Sequence, residues 1–315
     1  MDWFAAGGPL IAVRGIHFAA TAVVAGTLVF RTVVAKPALP AEQAVGKKWQ
    51  AQSQRLAWIA LVIMLLSGVI WLLLQAVSMS GLPPDEALTS QVLSTVLNQT
   101  QFGVVTEIRG VLAVILAACL AFDRFPLAQW LALAAAFGLT AAIAWTGHAA
   151  STLGEKGNLH LAADALHLVA AASWVGGLVP LVLMLAAFRR DDVAASASLA
   201  ESAARRFSTL GVVSVGTLVA TGIVNAWILV SSFHALLAAE YGQILILKLA
   251  VFAVMLAFAA VNRFSLTPQL AVASGKQCQS VRQLTRNSIA EIVLGFSIFA
   301  IVGMLGTLHP AIHFS

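Results

Sequence analysis

Charge is what this sequence has least of. Asp, Glu, Lys and Arg make up only 10% of its 315 residues, against roughly 25% in a soluble globular domain. A water-facing surface cannot be built from so few charges. That excludes a soluble globular protein, a disordered chain and a nucleic-acid binder, despite a basic pI of about 9.7. Cysteine is also scarce: Cys119 and Cys278 are the two present, and they offer neither a disulfide framework nor a CxxC pair. No ATP-binding loop, phosphorylatable Asp motif or nucleophile elbow is found, so neither primary pumping nor an enzymatic activity is expected.

What the sequence has instead is apolar length. Hydrophobic residues are 60% of the chain and the mean hydropathy is +0.92. Runs of about 20 apolar residues, enough to cross a bilayer core of roughly 30 Å, recur near 10–30, 56–77, 103–122, 126–147, 160–187, 207–231, 242–262 and 287–308. They lack the apolar–polar alternation of barrel strands. The first has no basic stretch before it, so it reads as a span rather than a cleaved signal. The expected fold is an all-α polytopic membrane protein of eight transmembrane helices, forming a single membrane domain over 1–315.

Orientation follows from Lys and Arg. The 1–2 connection carries Arg31, Lys36, Lys47, Lys48 and Arg55; the 5–6 connection Arg189, Arg190, Arg205 and Arg206; the 7–8 connection Arg263, Lys276, Arg282 and Arg286; Arg124 lies in the 3–4 turn. The other side has Asp85, Glu86, Glu155 and Glu240, with Lys156 as its loop cation. The positive-inside rule therefore places both termini outside, which in a bacterial inner membrane is the periplasm. The long outer connection, 78–101, has Leu88, Val92, Leu93, Val96 and Leu97 on one helical face and is expected to hold an interfacial amphipathic helix. The inner connections 190–204 and 264–285 read as short helical or mobile loops.

The two halves resemble each other. His17 precedes Gly26 by nine residues, as His167 precedes Gly176. Ser67-Gly68 in span two matches Thr221-Gly222 in span six. Phe102-Gly103 with Arg109 in span three matches Tyr241-Gly242 with Lys248 in span seven, and Thr146-Gly147-His148 matches Thr307-Leu308-His309. With four spans each, the repeats (1–150 and 151–315) share one orientation. They are expected to be related by a pseudo-two-fold axis along the membrane normal, with a site between the halves.

All seven histidines fall in the outer half of this topology. His160, Asp164 and His167 stand at i, i+4 and i+7, one face of span five. Imidazole with carboxylate on one stripe suits Cu(II) or Zn(II), and copper is held more tightly. An ionisable residue inside a span is a functional hypothesis by default. The bland alternative pairs Asp164 with Arg14, Arg109 or Lys248 and leaves the histidines as interhelical hydrogen-bonding groups. His148 and His309, at the ends of matched helices, and His17 join the candidate ligands, whereas His234 and His313 read as solvated. Glu107, Arg109 and Lys248 are expected to pair charges around the site. Glu291, near the inner end of span eight, reads as a proton or cation step or as a carboxylate snorkelling to the headgroups. Met64, Met184, Met255 and Met304 lie on four different spans with no MxxM or MxM pair, which speaks against a thioether relay for Cu(I).

The segments Gly147-His148-Ala149-Ala150, Leu166-His167-Leu168 with Trp174-Val175-Gly176-Gly177-Leu178, Tyr241-Gly242 with Lys248, Asn262-Arg263 before Pro268, and Gly306-Thr307-Leu308-His309-Pro310 resemble the copper-resistance protein D (CopD/PcoD) family. The resemblance covers all eight spans, most specifically 145–309. It implies an inner-membrane protein that moves copper, as Cu(II) or Cu(I), from the periplasm inward and contributes to copper resistance. It also implies a separate periplasmic copper-binding partner of the CopC type. By resemblance, His148, His160, Asp164, His167 and His309 are the copper-contacting residues. Two rival readings remain open: a haem-b electron-transfer protein using His17 and His167 as axial ligands, and a protein that binds or senses copper at the outer face without moving it.

Overall fold

A computed structural model describes residues 7–39, 44–147, 149, 152, 154–188, 194–229, 236–237, 239–271 and 277–308. Among the described residues, eight helices are long and apolar enough to cross a membrane: α1 (Gly8–Ala38), α2 (Gly46–Ser80), α3 (Gln101–Ala121), α4 (Pro126–Thr146), α5 (Gly154–Phe188), α6 (Ser198–Leu229), α7 (Glu240–Leu270) and α8 (Gln279–Leu305). No strand occurs among the described residues.

Several of these helices outrun the apolar segments that announce them. α2 and α5 each have 35 residues, about 52 Å at 1.5 Å per residue, well beyond a bilayer core of roughly 30 Å. The extra turns lie mostly at the basic end of the bundle. The connections at 190–204 and 264–285, expected as short helical or mobile loops, are largely helical where described. Arg205, Arg206, Arg263, Arg282 and Arg286 thus ride on helices.

Three helices carry a widened π-type turn ahead of a proline: Phe30–Ala35 before Pro37, Ala172–Gly176 before Pro180, and Asn262–Leu266 before Pro268. Proline lacks an N–H, and its ring collides with the carbonyl four residues back. The chain widens by one residue instead of breaking, and the N–H of Lys36 reaches back five residues to the Arg31 carbonyl, as Thr267 does to Asn262. Such turns are frequent at functional sites.

α1 is the hub, packed against α2, α4, α5 and α8, and α5 in turn contacts α4, α6 and α8. The outer members pair as α3 with α4 and α7 with α8. Where α1 crosses α5, glycines remove every side chain between the backbones. A Cβ on Gly26 would lie 2.3 Å from the Gly176 carbonyl carbon, and one on Gly176 would lie 1.8 Å from the Ala22 oxygen. Small residues are how membrane helices approach this closely. At the basic end, Arg31 bonds Asp123 at 2.5 Å and Gln54 at 2.8 Å, tying α1 and α2 to the α3–α4 turn. The expected outer helix is present as Ser90–Gln99. Val96 is buried and Val92, Leu93 and Leu97 are half-buried against the bundle, while Leu88 stays exposed.

Candidate functional site

A cavity of about 430 Å³ opens at the histidine-bearing end. Its wall comes mainly from α5–α8, closed by α1 and the end of α4. It therefore sits largely within the second half rather than midway between the halves. His160, Asp164 and His167 of α5 all line it, together with Lys248 and Tyr241 of α7 and Asn225 of α6.

The hydrogen bonds around His167 favour one tautomer. The Thr221 hydroxyl donates to the Thr217 carbonyl at 2.6 Å, so it accepts from His167 Nδ1–H at 2.9 Å. Nε2 then carries the lone pair that a metal requires, and the ring is held by a hydroxyl behind it, as in many metal sites. Asp164 Oδ1 accepts from Asn225 Nδ2 at 3.2 Å. Lys248 and Tyr241 line the same cavity as Asp164, and Lys248 forms no direct ion pair with it. His160 is buried, with Nδ1 2.9 Å from the Thr152 hydroxyl.

One face of a helix is not one coordination sphere. His160 and His167 are seven residues apart, about 10 Å along the axis, whereas a metal–imidazole bond is roughly 2 Å. Accordingly, no group of three His, Cys, Asp or Glu among the described residues is placed to hold one ion. His148 and His309 lie outside the described residues, as do His234 and His313. Their described neighbours Gly147, Ala149 and Gly306 line the cavity.

His17 lies elsewhere. It is buried between α1, α2 and α3, and does not line this cavity. Ser67 donates to the Ile63 carbonyl at 2.6 Å and accepts from His17 Nδ1–H at 3.1 Å, while His17 Nε2 accepts from the Arg109 guanidinium. Both ring nitrogens are engaged, one of them by a cation. In this arrangement His17 is free to ligate neither copper nor haem. Trp71, sequestered at 2% exposure, packs against His17 with ring centroids 5.3 Å apart and the planes tilted by 59°, and the guanidinium carbons of Arg14 and Arg109 lie 5.4 and 5.7 Å from its ring. Arg14, weighed as a partner for Asp164, instead donates to the Gly306 carbonyl at 3.0 Å.

Glu107 is exposed on α3, and no ion pair among the described residues includes it. Two positions from Arg109 on a helix, it points to a different face. The charge pairing expected of it is not made. Met64, Met184 and Met255 are fully packed, and only Met255 lines the cavity.

Trp71, which sequence reasoning missed, and Arg14 share one register with residues of the cavity. Arg14 stands three before His17, as Asp164 stands before His167. Trp71 stands four after Ser67, as Asn225 stands after Thr221. In one half those positions hold Asp, Asn, Tyr and Lys around a cavity. In the other they hold Arg, Trp, Phe and Arg clustered on the Trp71 ring, with Arg14 also lining the cavity.

Comparison with known proteins agrees with this architecture. Residues 4–158 match the family model "Copper resistance protein D-like, N-terminal domain", and residues 201–305 match "Copper resistance protein D". Copper resistance protein D of Pseudomonas syringae pv. tomato is 32% identical over 255 residues, covering 79% of this chain and 81% of that protein. The chain belongs to the copper resistance protein D family. Inner membrane protein YebZ of Escherichia coli (strain K12) is 28% identical over 306 residues, 95% of this chain and 98% of YebZ. Copper transport protein CutJ of Bacillus subtilis (strain 168) is 37% identical over 127 residues, 40% of this chain and 22% of CutJ. The two family models cover residues 4–158 and 201–305, leaving most of α5 between them.

Proposed function

We propose that this protein takes copper from the periplasmic face of a bacterial inner membrane and passes it inward, using the His160–Asp164–His167 face of α5 as its receiving surface. The observation that carries this reading is His167, whose Thr221 hydrogen bond leaves Nε2 unprotonated towards a cavity that also holds a carboxylate. His148 and His309 complete the donor set in this reading, because their described neighbours rim the same cavity. Copper is the cargo; Lys248 balances Asp164 when the cavity is empty and is the like charge an arriving cation must overcome. A periplasmic carrier of the CopC type supplies the ion, and ATP takes no part. The names of two relatives, one a copper resistance protein and one a copper transport protein, support the cargo.

The same reading takes the halves as parallel repeats, 1–150 and 151–315, about a pseudo-two-fold axis along the membrane normal. Its support is that register-matched residues make matched contacts: His17 with Ser67, His167 with Thr221, and Gly26 against Gly176. In the second repeat the residues around His167 enclose an open, polar cavity. Both termini are placed in the periplasm by the charge asymmetry.

Metal analysis of the purified protein alongside its visible spectrum tests the ligand class. Bound copper without a Soret band is expected, whereas a Soret band would favour the haem-b reading. Copper uptake into proteoliposomes then separates transport from binding or sensing at the outer face.

A further inference from the structure

A second cavity, about 660 Å³, lies nearer the basic end between α5, α6, α7 and α8. Among the described residues, Trp174 alone lines both this cavity and the histidine-bearing one. Two widened turns shape it: that of α5 carries Trp174, and that of α7 opens with Asn262. The wall is mostly apolar, yet it holds the Glu291 carboxylate at 2% exposure.

Glu291 has no cation partner among the described residues. One of its oxygens accepts from Asn262 Nδ2 at 2.6 Å. Behind that bond lies an oriented relay: Asn287 donates to Asn262 at 2.9 Å, and the exposed Gln283 donates to Asn287 at 3.2 Å. Gln283, Asn287 and Glu291 share one face of α8, so the relay runs from the surface of the basic end to the carboxylate. Each amide polarises the next towards Glu291. One turn before Glu291, the Ser288 hydroxyl is buried at 1% exposure, lines the cavity and has no hydrogen-bond partner among the described residues. Arg263 is the other charged residue of the wall; it is exposed and donates to Ser208 at 2.8 Å. Among the described residues, α5, α6 and α8 contribute no further charged group to the lining.

We propose that this cavity is a proton-binding station, with Glu291 as the acceptor, reached from the basic end of the bundle and partitioned from the histidine-bearing cavity by Trp174. A lone carboxylate in an apolar wall calls for a compensating cation. The donors here are carboxylate and hydroxyl oxygens, hard groups that suit a proton and do not select the soft Cu(I) ion. The relay holds one carboxylate oxygen in place while the other is left to gain and lose H⁺. The station stands whether or not copper is the cargo; its consequence, proton movement coupled to copper movement, rests on the reading above.

Infrared difference spectroscopy of the full chain in lipid, titrated with acid in copper-free buffer, tests it. A protonated-carboxyl C=O band that shifts in D₂O is expected in the wild type and in Asp164→Asn, and its loss is expected in Glu291→Gln. Glutamine keeps the acceptor for Asn262, so the fold should survive. Asn262→Ala, which deletes the donor, should move the band to higher frequency. A band unchanged in both Glu291→Gln and Asn262→Ala, or no titrating carboxyl band in the wild type, overturns the station. These readouts involve no metal, so a failure of the copper reading would show separately in metal analysis.

Discussion

Gly26 and Gly176 meet backbone to backbone where α1 crosses α5, with 2.3 Å between a Cβ built on Gly26 and the Gly176 carbonyl carbon. Each stands nine residues after a buried or cavity-lining histidine in its own half. Gly26→Ala or Gly176→Ala should therefore destabilise the bundle by about 1–3 kcal/mol or more through overpacking. Gly110→Ala and Gly216→Ala, with nothing within 4 Å, should be near neutral. Thermal unfolding in detergent compares the four; equal stability of all of them would contradict the crossing.

Thr221 is expected to matter through His167 rather than as a ligand. Thr221→Val removes the acceptor for His167 Nδ1–H and frees the ring to change tautomer. Loss of such a supporting group costs roughly 10–100-fold in metal affinity. Thr221→Ser should restore most of it, and a copper competition titration reads both.

His17 should behave unlike His167. Its nitrogens are committed to Ser67 and Arg109, so His17→Gln should lower stability while copper stoichiometry stays as in the wild type. A stoichiometry drop equal to that of a cavity histidine would place His17 among the ligands after all. Trp71→Ala, deleting the ring shared by His17, Arg14 and Arg109, should cost about 3–5 kcal/mol.

Lys248 is a charge of the same sign as the cargo. Lys248→Met should tighten copper binding by on the order of tenfold, the equivalent of about 1.4 kcal/mol of relieved repulsion, and Lys248→Arg should not. Isothermal titration at low and moderate salt checks it; weaker binding in the methionine variant would reverse the role assigned to Lys248.

The eight spans were legible because twenty apolar residues in a row have few other uses. Their true ends were not, because a helix continues through Ala-, Ser- and Gln-rich stretches that hydropathy does not register: α6 begins at Ser198 and α7 runs to Leu270. The stripe His160–Asp164–His167 was readable from spacing, and the structure does turn it to one cavity. Which histidines stay available was not readable. The Nε2 of His17 is taken by Arg109 from another helix, 92 positions away, and helical spacing within one span carries no information about such a contact. Spacing alone could have caught Glu107, since residues two apart on a helix diverge. Trp71 gives no such signal on its own: its place beside His17 follows only from setting Ser67 in register with Thr221.

The most direct measurement is copper binding to the purified full chain and its His167→Ala and His148→Ala variants, by metal analysis and competition titration. Copper bound by the wild type, with reduced stoichiometry or affinity in both variants, is the expected result. Unchanged stoichiometry and affinity in both would remove the cavity from the copper path.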